Sequence, residues 1–183
     1  MSTQPPASEM NPDPRYPIGK FNRSTADITN HPAAIATLAA LPENLRSAVE
    51  GLTPAQLETP YREGGWMVRQ LVHHVADSHM NAYVRMRMAL TEDWPAIRPY
   101  DEKLWAALPD SLTAPVEISL ELLDALHRRW VLLLQQLTEE QWQRGYVHPT
   151  NGRQTMAEAA AVYAWHSRHH VAHITALRKR MNW

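Results

Sequence analysis

Apolar residues recur at intervals of three and four along four separate stretches of this chain and show no strand-like alternation, which commits it to packed helices rather than a sheet. The first stretch opens at Thr29-Asn30, a capping pair followed by Pro32 in the first turn, and carries Ile35, Leu38, Leu41, Leu45 and Val49 before Gly51 ends it. Pro42 lies inside it, removes one backbone hydrogen bond and is expected to kink the helix. Thr53-Pro54 predicts a single turn through Leu57, and Thr59-Pro60 with Gly64-Gly65 marks an irregular connection. A second helix, from Trp66 to Leu90, is drawn by Val68, Leu71, Val72, Val75, Ala82, Met86 and Ala89. Trp94-Pro95 and Pro99-Tyr100 then punctuate a long link with a short helix over Glu102 to Leu108, closed by Pro109 and Pro115. The third helix, Val116 to Leu137, carries Leu120, Leu123, Leu126, Trp130, Leu133, Leu134 and Leu137. Thr138-Glu139-Glu140-Gln141 reads as a capped restart, and His148-Pro149 through Gly152 as a turn. The fourth helix, Thr155 to Lys179, has Met156, Ala160, Tyr163, Ile174 and Leu177 on one face and Arg178, Lys179 and Arg180 at the end where the dipole favours cations. An all-α four-helix bundle is the predicted architecture.

A length of 183 residues fits one domain. Met1 to Pro14, proline-studded and polar, is expected as a mobile tail, leaving residues 15–183 as a single bundle domain, with Tyr16 to Phe21 packing back on it. Eighteen Lys+Arg against nineteen Asp+Glu give a net charge of -1, without the basic excess of a nucleic-acid or anionic-membrane binder. No stretch reaches membrane-spanning length and the N-terminus lacks a signal-peptide layout, so a cytoplasmic protein acting on a small molecule is expected. The absence of cysteine excludes disulfides, thiolate ligands and a cysteine nucleophile; any metal must sit on His, Asp or Glu.

Histidine is the unusual residue. Seven of the ten fall in two helical clusters: His73, His74 and His79 on the second helix, and His166, His169, His170 and His173 on the fourth. Histidines at i and i+4 stack one turn apart and can reach one ion. At about 100° per residue, His170 lies about 40° and His166 about 80° from the middle of the apolar stripe, against about 100° for His173 and about 140° for His169. The inward pair is therefore His166 with His170. A third ligand must come from the facing helix, where periodicity puts His79 nearest the stripe and flanks it with His73 and His74. Asp77, three residues after His74, is a candidate partner for an imidazole. The plain alternative is a solvated, histidine-rich helix without metal.

Several runs carry a resemblance. Tyr16-Pro17-Ile18-Gly19-Lys20, Thr59-Pro60-Tyr61-Arg62-Glu63-Gly64-Gly65-Trp66, Val68-Arg69-Gln70, His73-His74-Val75-Ala76-Asp77-Ser78-His79-Met80-Asn81 and Tyr163-Ala164-Trp165-His166-Ser167-Arg168-His169-His170 resemble the YfiT family of metal-dependent hydrolases, a branch of the DinB-like bundles. The likeness runs along nearly the whole chain after the tail. It implies a four-helix bundle, commonly a homodimer, with one zinc or nickel ion on three histidines. The family's ligands fall on the second His of the His-His pair and both of the Trp-His-x-x-x-His run, here His74, His166 and His170, which selects His74 over His79.

Three neutral imidazoles leave a divalent ion its charge and an open position, suited to acidifying water or polarising a carbonyl. Hydrolysis follows, with Asp77, Glu63 and His73 as candidate bases. An open position could also hold a low-molecular-weight thiol, and relatives implied by the resemblance include bacillithiol-type S-transferases; Arg62, Arg69, Arg85 and Tyr61 are then candidate anchors for an anionic group. Tyr61, Trp66 and Tyr100 could wall the site, while Trp130, Trp142 and Trp165 belong to packing or a dimer contact. A third alternative is a non-enzymatic, metal-stabilised binding module, which a fourth ligand such as His79 or Asp77 would favour by closing the coordination sphere.

Overall fold

A computed structural model describes residues 13–183; the expected tail, Met1 to Pro14, lies outside the described residues except for Asp13 and Pro14. In chain order the elements are α1 (His31–Val49), α2 (Pro54–Leu57), α3 (Val68–Thr91), α4 (Glu102–Ala106), α5 (Pro109–Thr113), α6 (Val116–Leu134), α7 (Glu139–Gln143), β1 (Gly145–His148), β2 (Gly152–Thr155) and α8 (Met156–Met181). The caps explain several of these starts. The Asn30 side chain accepts from the Ala33 N–H at the head of α1, and Thr53, Thr138 and Thr155 each form a reciprocal capping box with the Gln or Glu three residues on. Asn182, at φ 57°, closes α8 in the left-handed conformation that short polar side chains tolerate.

The long helices α1, α3, α6 and α8 make a four-helix bundle. Helix α1 packs on α8 and α6, and α3 packs on the same two, so α1 and α3 lie across one diagonal and α6 and α8 across the other. The apolar core is in two clusters. One gathers Leu38, Ala82, Met86, Trp130, Leu134, Met156, Ala160 and Tyr163; the other gathers Leu41, Leu45, Leu71, Val75, Leu120, Leu123, Ile174 and Leu177. On α3, α6 and α8 the residues between the two clusters include His79, His127, His166 and His170, so a polar layer crosses the bundle at that level. Among the described residues no helix is long and apolar enough to cross a membrane.

Pro42 sits buried within α1, which runs on through it. Residues Tyr16 to Phe21 do pack back on the body: Phe21 lies against Trp165, whose indole N–H donates to the Gly19 carbonyl at 3.2 Å.

The structure corrects the sequence reading in two places. Residues 145–155 hold an antiparallel hairpin, β1 with β2, in register Gly145 to Thr155 and His148 to Gly152, where only a turn was expected. Four-residue strands are too short to display a period, and β1 is held from outside, with Ile97 N–H donating to Val147 O at 3.0 Å and Val147 N–H to Pro95 O at 2.9 Å. The long link also contains a second short helix, α5, begun by Pro109 at its first turn rather than ended by it.

Gly145 is where the hairpin meets the bundle. A Cβ there would run into the Gln154 carbonyl oxygen and sit 2.7 Å from the Trp94 ring. Gly145→Ala is expected to destabilise the fold by about 1–3 kcal/mol through overpacking, read as a fall in Tm of roughly 3–10 °C; an unchanged Tm would contradict this.

Candidate metal centre

The loop before α3 fixes one wall of the site. Tyr61 N–H donates to Trp66 O at 3.1 Å and Val68 N–H to Thr59 O at 3.1 Å, closing the loop across Gly64, which sits at φ 63°. Trp66 is thereby held with its ring 4.6 Å from that of His74 on α3. Helix α8 brings His166 and His170 to the same place. One ring nitrogen from each of His74, His166 and His170 lies within 4.8 Å of the others, and no carboxylate joins this group among the described residues. The ring centroids of His74 stand 5.5 Å from His166 and 5.0 Å from His170.

Whether these residues suit a metal can be judged from their own chemistry. The His166 and His170 Nε2 atoms are 3.0 Å apart, close to the separation of about 3.3 Å between two nitrogens bound to one tetrahedral ion. The Nδ1 of His170 is buried without a partner. Burial pushes the His74 imidazole down to about 4 and holds those of His166 and His170 well below the ordinary value, with neighbouring histidines adding to the effect. All three are therefore neutral near pH 7, the form that offers a lone pair. Two i, i+4 histidines and one from the facing helix fit a divalent cation.

The remaining histidines sort into distinct roles. His79, which periodicity placed nearest the apolar stripe, is fully buried and stands behind the centre: its Nε2 lies 3.0 Å from His166 Nδ1 and its Nδ1 lies 3.0 Å from His127 Nε2. His127, on α6, is 2.7 Å through Nδ1 from the Leu38 carbonyl and was missed by the sequence reading. Its signal was a polar residue in the apolar stripe, between Leu123 and Trp130. His169 and His173 are buried as well, against the outward placement given by the wheel, with their Nε2 atoms 3.0 Å apart. The wheel counts only the stripe that faces the bundle, whereas Trp165 stacks on His169 at 4.4 Å and Tyr61 covers His173 at 4.2 Å.

Of the candidate bases, His73 has both nitrogens engaged, 2.8 Å from Ser119 Oγ and 3.2 Å from Ala114 O, and so ties α3 to α6. Glu63 is exposed. Asp77 is half-buried, and that burial, with Asp110 nearby, pushes its carboxyl up to about 6. It is not bonded to any imidazole. Among the candidate anchors, Arg69 donates to Ala114 O at 2.7 Å and Arg85 to Arg98 O at 3.4 Å. Arg62 lies over the Tyr61 ring and lines a cleft of about 480 Å³ with Tyr61, Gly64, Gly65, Trp66, Glu102 and Lys103. Trp66 stands between that cleft and His74, its ring in contact with both. Tyr100 packs against Trp105 and buries its hydroxyl, and Trp130 and Trp142 are core.

A four-helix bundle that brings three neutral imidazoles from two adjacent helices together is a helical protein with a candidate three-histidine metal site. Residues 37–174 match the family model of the DinB superfamily, and the chain belongs to that family. It is 52% identical over 170 residues to a Bacillus subtilis protein named "Putative metal-dependent hydrolase YfiT", covering 92% of this chain and 96% of the relative. A Bacillus cereus protein with the same description is 52% identical over 174 residues, covering 93% and 99%. The solved structure of Bacillus subtilis YfiT, described as a probable metal-dependent hydrolase with an unusual four-helix bundle topology, superposes with a TM-score of 0.89 at 51% identity over 93% of this chain and 98% of that one. The four-helix bundle protein TT2238 shares the fold alone, at TM-score 0.55 and 22% identity, over 80% of this chain and 99% of its own.

Buried neutral imidazoles make the fold sensitive to acid. His74, His127 and His169 are held near 4 and His173 near 3 in the folded chain, chiefly by burial, against about 6.5 when unfolded. The unfolded chain thus binds more protons below pH 6.5, so stability is full above that pH and is lost as pH falls toward 4. The Tm of the metal-free chain is expected to hold steady above about pH 7 and to fall steeply between about pH 6.5 and 4; a flat profile across that window would contradict the buried, neutral state of these rings.

Proposed function

We propose that this chain is a metal-dependent hydrolase in which His74, His166 and His170 hold one divalent ion, zinc or nickel, and a small-molecule substrate enters by the cleft between Arg62 and Lys103. The observation that carries the reading is a set of three neutral imidazoles joined by no carboxylate, which leaves a coordination position for water or substrate. When bound, a divalent ion supplies a Lewis acid that acidifies water and polarises a carbonyl. Trp66 shields His74 from solvent on the cleft side and gives a substrate an apolar surface to lie on. The cations Arg62 and Lys103 orient polar or anionic substituents at the mouth. Asp77, the one candidate base that is neither bonded elsewhere nor fully exposed, accepts the proton from water; a carboxyl near 6 is matched to that task at neutral pH. The names of the curated relatives support hydrolysis ahead of thiol transfer. Cytoplasmic action is part of the same reading.

Metal content measured by mass spectrometry on untagged protein should give about one ion per chain, lost in His170→Ala and kept in His173→Ala; equal loss in both would overturn the ligand set. Turnover of ester and amide substrates should need no added thiol. Activity that appears only with a low-molecular-weight thiol and an electrophile would replace hydrolysis by transfer. Asp77→Asn should lower kcat by about 10²–10⁴-fold. Its Tm at pH 7 should not fall, because a carboxyl raised to about 6 destabilises the fold once ionised, a cost present above that pH and absent below the unfolded value near 3.8. Full activity in Asp77→Asn would remove Asp77 as the base.

A further inference from the structure

In α1 the Leu38 carbonyl would ordinarily accept from the N–H of residue 42, but residue 42 is a proline and has none. The carbonyl is taken instead by His127 Nδ1 on α6, at 2.7 Å in a buried setting. A carbonyl oxygen can only accept, so this nitrogen carries the proton. His127 is buried with no carboxylate bonded to it and is neutral, so its Nε2 carries a lone pair. The atom 3.0 Å from that lone pair, His79 Nδ1, must then be the donor. His79, fully buried and neutral by the same reasoning, has its Nε2 left as an acceptor 3.0 Å from His166 Nδ1. Each ring in turn has one tautomer open to it.

We infer that Pro42, His127 and His79 form a positioning relay that fixes the proton of His166 on Nδ1 and turns its Nε2 lone pair toward His74 and His170. None of the three touches a substrate; they act through His166. The inference rests on the proposed ligand role of His166 for its functional meaning, while the tautomer itself is a property of the metal-free chain. A metal-ligating histidine commonly donates its far N–H to a carboxylate or a backbone carbonyl, which fixes ring and tautomer. Here the carbonyl is reached through two neutral rings, and the relay draws on all four long helices: Leu38 and Pro42 from α1, His127 from α6, His79 from α3 and His166 from α8.

The test is nitrogen NMR of the imidazoles in the full, chelator-stripped chain, paired with zinc affinity by chelator competition. In the unsubstituted chain His127, His79 and His166 should each be neutral and protonated on Nδ1; a His166 protonated on Nε2 would overturn the relay. In His127→Leu, which does not touch His166, the single tautomer at His166 should be lost and zinc affinity should fall about 10–100-fold. His79→Leu should do the same, and His79→Gln should recover most of the affinity, since its amide can accept from His166 and donate to His127. Pro42→Ala returns a competing N–H to the Leu38 carbonyl, and should shift the His127 Nδ1 resonance and weaken zinc binding without unfolding the bundle. Unchanged His166 tautomer and zinc affinity in His127→Leu and Pro42→Ala would refute the relay even if zinc binds. No binding of either zinc or nickel by the unsubstituted chain, with the tautomers as stated, would refute the proposed function and leave the relay standing.

Discussion

Burying an imidazole removes water from two nitrogens, one of which must donate and the other accept, and the middle of this bundle buries several side by side. That requirement organises the rest. Along α3, α6 and α8 the apolar stripes break at the same level, and the histidines that fill the break answer one another across the helices. Desolvation drives their affinity for protons down, and the loss of positive charge is what lets so many stand together without a carboxylate among them. The directions agree along His127, His79 and His166, whereas the Nδ1 of His170 is left without a partner.

The outer cover of the centre comes from segments outside the four helices. The residues around Tyr16 and Gly19 lie on the His169 side, and the loop carrying Tyr61 and Trp66 lies on the His173 and His74 side. Arg180, near the end of α8, donates to Tyr61 O at 3.0 Å, and Arg178 donates to the carbonyls of Ala48 and Glu50 at 3.0 and 2.9 Å. Of the cations that the sequence places for the helix dipole, Arg180 thus also fastens the cover, and Arg178 ties α8 to the end of α1. This division leaves the three-histidine cluster on the long helices and its cover on the loops.

The long helices, their caps and the bundle were legible because period and capping chemistry are local properties of the chain. The hairpin was not, since its pairing depends on Gly145 fitting against Gln154 and Trp94, contacts that no short window contains. At the centre, a helical wheel brought His166 and His170 to one face. It could not tell a ring that joins the three-histidine cluster from one behind it, so His79 and His74 were separable only by resemblance to a family. His127 escaped notice because a lone histidine in an apolar stripe has no neighbour in sequence to announce its partner. His169 and His173 were misplaced because a wheel sees one packing surface and α8 has two.

The split core has a consequence for how the molecule holds together. Side-chain dispersion and water exclusion hold the helices to one another on either side of the histidine seam, but at the seam itself the contacts between helices are directional and polar. A cation seated on His74, His166 and His170 would act as a rivet between α3 and α8, at the one level where grease alone does not join them.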